Sequence, residues 1–146
     1  MTKIRLDGAA LAGAVERVVS RLRGSAGGGR VSLTTADTLR TLDSRGPCRV
    51  SDLAALEGVT QPAMTQLVSR LEHDGLVERR SCAEDARVVM VHLTAAGGEL
   101  LRRRREARAR LIDELAGRLS DDDQDALAAA LPALERLVAA QRSTTT

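Results

Sequence analysis

The stretch SDLAALEGVTQPAMTQLVSRLEHDGLVERR (residues 51–80), continued by AEDARVVMVHLTAAG (residues 83–97), decides how this chain is read. Ser51 is a natural N-cap, followed by Leu53, Ala54 and Leu56, and Gly58 closes a helix of about two turns. Thr60 or Gln61 caps the next helix. Pro62 falls in its first turn, where a missing N–H costs nothing. This second helix runs to about Asp74, and Gly75 stops it. Leu76–Arg80 and Arg87–Leu93 read as two strands, the second carrying Val88, Val89 and Val91, which favour extended backbone. Between them the polar stretch Ser81–Ala86 forms a hairpin tip.

Placed at 100° intervals, residues 61–73 separate into two faces. Met64, Leu67, Val68 and Leu71 cluster on one side and are expected in the core. Pro62, Gln66, Ser69 and His73 lie opposite, flanked by Thr65 and Arg70. A small, polar, singly basic face suits a helix lying in a major groove. Gln pairs bidentately with adenine, Arg with guanine, and Thr or Ser with base edges or phosphates. Any amphipathic surface helix has a polar outer face, so the face alone does not decide. The short helix before it, the glycine turn and the hairpin after it favour a winged helix-turn-helix. Arg79, Arg80 and Arg87 flank the hairpin tip beside Glu84 and Asp85. An arginine there can enter a narrow minor groove, and Asp85 can hold Arg87 in a bidentate pair. Taken alone, the tip would read as an ordinary solvated hairpin.

Around this stretch the chain is expected to be helical. Leu11, Ala14, Val15, Val18 and Leu22 share one face of a helix over residues 6–23, and GSAGGG (residues 24–29) breaks it. A helix capped by Thr34 or Thr35 carries Asp37 in its first turn and Leu39 and Leu42 on its apolar edge. Gly46-Pro47 ends it. A long helix over residues 95–118 uses Leu100, Leu101, Leu111, Ile112 and Leu115. Ser120 with Asp121–Asp123 is a strong helix start. The last helix carries Leu127, Leu131, Leu134, Leu137 and Val138, with a kink expected at Pro132 and a frayed tail at Ser143–Thr146.

Composition bounds the function. The 146 residues are 43% hydrophobic, with no aromatic residue at all, so the core is aliphatic and no ring can stack on a base. This argues against single-strand nucleic-acid binding. Net charge is +2, from 22 basic and 20 acidic residues, so any DNA grip must come from a local face. Cys48 and Cys82 are far apart, as in a reduced cytoplasmic protein. No apolar run approaches the ~20 residues of a membrane span. The two Cys and two His show no metal-ligand spacing. No catalytic set or phosphate loop is present, so neither an enzyme nor a cofactor is expected. The run Arg102–Arg105, with Arg108 and Arg110, points in several directions on a helix and reads as a solvated face.

The segments GPCRVSDLA, TQPAMTQLVSRLEHDGLVERR and EDARVVMVHLTAAG resemble the MarR family of multiple-antibiotic-resistance regulators. The most specific part is Glu84-Asp85-x-Arg87 followed by Leu93-Thr94-x-x-Gly97. The resemblance spans nearly the whole chain and implies a mainly α fold with a small β-hairpin wing. It implies a DNA-binding lobe over residues 33–94, with residues 6–23 and 95–142 forming a helical dimerisation region. It further implies a cytoplasmic homodimeric repressor on a palindromic double-stranded operator, released in some members by a small-molecule effector. By resemblance, Gln61 to Asp74 is the recognition helix, with Gln61, Thr65, Gln66 and Arg70 facing bases and phosphates. Arg87 matches the wing arginine and Asp85 its partner. The expected DNA-binding set is Gln61, Pro62, Thr65, Gln66, Ser69, Arg70, Arg79, Arg80, Asp85 and Arg87. Three features depart from the family pattern: Gln66 stands where Arg is frequent, Cys82-Ala83 stands where Asp-Pro is frequent, and aromatic residues are missing. The rival reading is a winged helix that binds a partner protein and not DNA.

Overall fold

The computed structural model describes residues 5–25 and 33–142. Of the loop expected over residues 24–29, Gly24 and Ser25 are instead the last residues of the first helix, and the remainder, like the tail Ser143–Thr146, lies outside the described residues. Eight elements follow in order: α1 (Gly8–Ser25), α2 (Leu33–Arg45), α3 (Val50–Glu57), α4 (Gln61–His73), β1 (Val77–Ser81), β2 (Val89–Leu93), α5 (Ala95–Ala116) and α6 (Asp121–Arg142). The chain divides into two units, Met1–Arg108 and Ala109–Thr146, with the division inside α5.

The core of the first unit is built from short aliphatic contributions. Leu39 and Leu42 of α2, Leu53 and Ala54 of α3, Met64, Leu67, Val68 and Leu71 of α4, and Val77 and Val91 of the hairpin are buried together. Full burial of each large side chain contributes roughly 1.5–3 kcal/mol. The four α4 residues are those expected from their spacing. Leu100 and Leu101 of α5 also pack on this cluster.

Helix ends follow local chemistry, with some shifts from expectation. Asp7 starts α1, its Oδ1 accepting from the N–H groups of Ala9 (2.9 Å) and Ala10 (3.2 Å). Thr34 and Thr35 lie within α2 and not at its cap, so Asp37 falls beyond the first turn and pairs with Arg40. The N-cap of α3 is Arg49, with no side-chain cap bond, and Ser51 sits inside the helix. Gly58 takes φ 63° at the C-cap of α3, a left-handed conformation that glycine adopts without penalty. It sets the turn into α4, where Thr60 is the N-cap and its hydroxyl accepts from the N–H of Ala63 at 3.4 Å. In α6, the N–H of Asp123 donates to Ser120 Oγ at 3.2 Å, and three aspartates fill the first turn. The helix continues through Pro132 as one element.

The hairpin is antiparallel, in register from Val77↔Leu93 to Ser81↔Val89. β1 is shifted by one residue from the expected span, and β2 ends at Leu93 as expected but begins only at Val89, so Arg87 and Val88 belong to the tip. A third piece, absent from the sequence reading, is an isolated bridge at Cys48. Its N–H donates to Val91 O (3.2 Å), and Val91 N–H donates to Cys48 O (2.8 Å). The connection between α2 and α3 is thereby pinned to the outer edge of β2.

The motif Leu93-Thr94-x-x-Gly97 has a physical reason. Thr94 Oγ1 donates to Gly75 O (2.6 Å) and accepts from the N–H of Gly97 (3.1 Å). Thr94 thus caps α5 while tying it to the turn after α4. Gly97 is buried against this turn: a Cβ there would stand 2.2 Å from Leu76 O and 2.6 Å from Leu93 Cδ1.

Candidate nucleic-acid interface

Thr60 and Pro62 start α4, its apolar stripe is held in the core, and its opposite face is presented outward. Gln61, Pro62, Thr65, Gln66, Ser69 and Arg70 are all exposed on it. Their hydrogen bonding sorts them into two groups. Thr65 Oγ1 donates to Gln61 O (2.9 Å) and Ser69 Oγ donates to Thr65 O (3.0 Å). Both hydroxyl protons are spent on the helix itself, so these side chains retain only acceptor capacity outward. Gln61, Gln66 and Arg70 make no side-chain hydrogen bond among the described residues, so their full donor sets face outward.

The wing differs from expectation in its use of charge. Asp85 Oδ1 accepts from the backbone N–H of Arg87 at 3.0 Å, a local turn of the kind aspartate favours. The Arg87 guanidinium makes only a loose contact, 3.9 Å from Nε to that same oxygen, with its side chain 95% exposed. The expected bidentate pair is therefore not made. Asp85 shapes the backbone of the tip and leaves the arginine head projecting. A 2.7 Å bond from Cys82 N–H to Val88 O and a 3.0 Å bond from Val88 N–H to Asp85 O complete the tip.

Arg79 and Arg80 are engaged elsewhere. Arg80 pairs with Glu78 on its own strand. Arg79 turns toward α4, where its guanidinium pairs with Glu72 and donates to Ser69 Oγ at 3.0 Å. Its backbone N–H donates to Glu72 Oε1 at 3.1 Å. These contacts are missed by sequence reasoning, although the spacing of Glu72 before Gly75 and Arg79 after it is a usable signal. The two strands bring Arg87 to the far end of the hairpin, and Arg79 lies near the middle of α4.

The two thiols differ. Backbone N–H groups of Glu84 and Asp85, directed at Cys82, pull its pKa below the ordinary thiol value. Burial, with Asp52 nearby, pushes Cys48 up. Cys82 is half-buried at the base of the tip. On α5, Glu99 bonds Arg102 (2.7 and 2.8 Å) and Arg103 (2.9 Å), and Arg102 also pairs with Glu106. The arginine run is thus in part neutralised along its own helix, in accord with a solvated face. No group of His, Cys, Asp or Glu suited to a metal ion occurs among the described residues. Among the same residues, no helix is long and apolar enough to cross a membrane.

Comparison with known proteins places this geometry. A family model described as the MarR family matches residues 31–89. An HTH-type transcriptional regulator of Mycobacterium leprae is 33% identical over 114 residues, covering 78% of this chain and 80% of that protein. One from Mycobacterium bovis is 32% identical over 125 residues, covering 86% and 87%. A MarR family protein from Bacillus stearothermophilus superposes with a TM-score of 0.71 at 21% identity, covering 90% of this chain and 91% of that one. A transcriptional regulator of Thermotoga maritima does so with a TM-score of 0.76 at 22% identity, covering 92% and 98%. At such identities the likeness establishes the fold, a mainly α architecture with a two-stranded wing. The sequence relatives are described as helix-turn-helix transcriptional regulators. On the sequence relatives and the family match together, the chain belongs to the MarR family of helix-turn-helix transcriptional regulators.

Proposed function

We propose that the protein is a homodimeric repressor that binds a palindromic double-stranded DNA operator in the cytoplasm. The observation that carries the DNA contact is the exposed set Gln61, Gln66 and Arg70 on α4, together with the projecting Arg87 of the wing. Gln66 and Arg70 are suited to base edges in the major groove, and Arg87 to the negative potential of the adjacent minor groove. Gln61, Pro62 and Thr65 lie at the start of the helix, where backbone and phosphate contacts position the protein. Residues 49–94 hold five arginines against seven acids. Specificity then rests on a few placed contacts, and not on a broad positive field.

Dimerisation is supported by unpartnered apolar faces. Leu127, Leu131, Leu134, Leu137 and Val138 of α6 are all exposed, as are Val15 and Val18 of α1. A run spaced 127, 131, 134, 138 is a helical stripe that needs a covering surface. Two-fold symmetry would place two recognition helices in successive major grooves ~34 Å apart, which matches a palindrome. A small-molecule effector that changes that spacing would lower operator affinity by shifting the population of dimer conformations.

The test is fluorescence anisotropy with the DNA upstream of the protein's own gene, read over a range of salt, together with sedimentation of the free protein. Sequence-dependent, salt-sensitive binding by a dimer is expected. Binding to no DNA, or equal binding to all DNA, favours a winged-helix protein-interaction module. A monomer at micromolar concentration removes the palindrome argument.

A further inference from the structure

Arg79 is the one wing arginine drawn away from the outer surface, and its contacts are made to the recognition helix. Its guanidinium pairs with Glu72, donates to Ser69 Oγ at 3.0 Å and reaches Thr65 O at 3.5 Å. The Glu72 carboxylate has a second task. β1 is hydrogen-bonded to β2 along one edge only, so its other edge presents unpaired N–H groups. Glu72 Oε1 accepts one of these, the N–H of Arg79, at 3.1 Å. One carboxylate of α4 therefore holds both the backbone and the side chain of the same wing residue. The Arg79 side chain is 27% exposed and that of Glu72 39%, so the pair is partly shielded from solvent. Hydrogen bonds between charged groups are about twice as strong as neutral ones, and this cluster spans residues 65–79.

We infer that Glu72 and Arg79 form a brace that fixes the wing to the recognition helix, so that Arg79 is a positioning residue and not a DNA contact. The inference rests on the DNA-binding function proposed above. It assigns Ser69 to the same device. The Ser69 hydroxyl donates to Thr65 O and accepts from Arg79, which leaves it little capacity for a base or phosphate. Arg87 and the α4 face must reach adjacent grooves of one duplex together, and a loose joint between them would cost orientation at the moment of binding.

Two opposed readings give opposite signs. As a phosphate contact, Arg79 would contribute ~0.9 to the slope of log affinity against log salt, and removing Glu72 would tighten binding by deleting a negative charge near DNA. As a brace, Glu72→Ala weakens operator binding about tenfold although it removes that charge, Arg79→Ala weakens it similarly, and neither changes the salt slope. Arg79→Lys keeps the charge but loses the fork that spans Glu72 and Ser69, so it behaves like Arg79→Ala. The experiment measures operator affinity at several salt concentrations for the full-length protein and these three variants. It adds amide hydrogen exchange at Arg79 in the DNA-free protein. Faster exchange at that amide in Glu72→Ala is expected. A slope reduced by ~0.9 in Arg79→Ala, with wild-type or tighter binding in Glu72→Ala, overturns the brace. Should the wild type bind no DNA specifically, the functional reading falls, and unchanged exchange at Arg79 would then overturn the brace independently.

Discussion

Gly97 and Gly98 are adjacent in α5, and alanine at the two positions should act in opposite directions. A Cβ on Gly97 would lie 2.2 Å from Leu76 O, 2.6 Å from Leu93 Cδ1 and 3.2 Å from Leu76 C. Leu93 can turn aside, but Leu76 O is backbone in the turn that Thr94 also holds, through its N–H to Leu76 O (3.1 Å) and its hydroxyl to Gly75 O (2.6 Å). Relief requires α5 to move off that turn, stretching both bonds. Overpacking of this kind costs about 1–3 kcal/mol, toward the upper end where the obstacle is backbone. Replacing glycine by alanine within a helix returns about 1 kcal/mol. The net for Gly97→Ala is a loss of about 2 kcal/mol. Gly98 has nothing within 4 Å of its Cβ position, so Gly98→Ala should gain up to about 1 kcal/mol. Urea denaturation at one fixed protein concentration reads both. With a slope of about 2 kcal/mol per molar, the midpoints should move down and up by about 1 M and 0.5 M. Gly97→Ala at or above wild-type stability, or an equal loss in Gly98→Ala, would refute the close-approach argument.

Further outcomes are expected at the DNA face and at titrating groups. Arg87→Ala should weaken operator binding and lower the salt slope by ~0.9; an unchanged affinity counts against the wing contact. Gln66→Ala should relax preference at one operator position, at a cost of ~1–3 kcal/mol against the original sequence, and an unaltered base-preference profile removes Gln66 from the readout. Glu99 is held at about 2 by its bonds to Arg102 and Arg103. Because this lies below the unfolded value, the ion-pair contribution is complete above about pH 4.5 and is lost as pH falls toward about 2. A carboxyl NMR titration tests it, and an ordinary midpoint for Glu99 would exclude the pairing. Iodoacetamide should label Cys82 before Cys48, with the Cys82 rate rising at lower pH than for a free thiol, since thiolate is the reactive form. Equal rates would contradict the tip geometry.

Periodicity and turn chemistry alone determined most of the fold. The stripe Met64, Leu67, Val68, Leu71 has only one amphipathic solution at 3.6 residues per turn, and Gly58, Pro62 and Gly75 punctuate it, so α3, α4 and the hairpin were legible. Ser120 with three aspartates fixed the start of α6 in the same local way. Other termini were less legible. Ser51 and Thr34 are good caps in isolation, yet the helices begin before them, at Val50 and Leu33. The candidate site was legible as a set of residues and not as a set of roles. Sequence spacing put Asp85 beside Arg87, but only the folded tip directs that carboxylate to the backbone and frees the guanidinium. In the sequence Arg79, Arg80 and Arg87 are equivalent wing cations, although the fold brings Arg79 back to Glu72 and Ser69. Cys48 bridging Val91 and Gly97 against Leu76 are likewise long-range contacts. A sequence specifies what each residue can donate, accept or bury. Which partner it meets depends on chain segments distant in sequence, and that is settled only when the core closes.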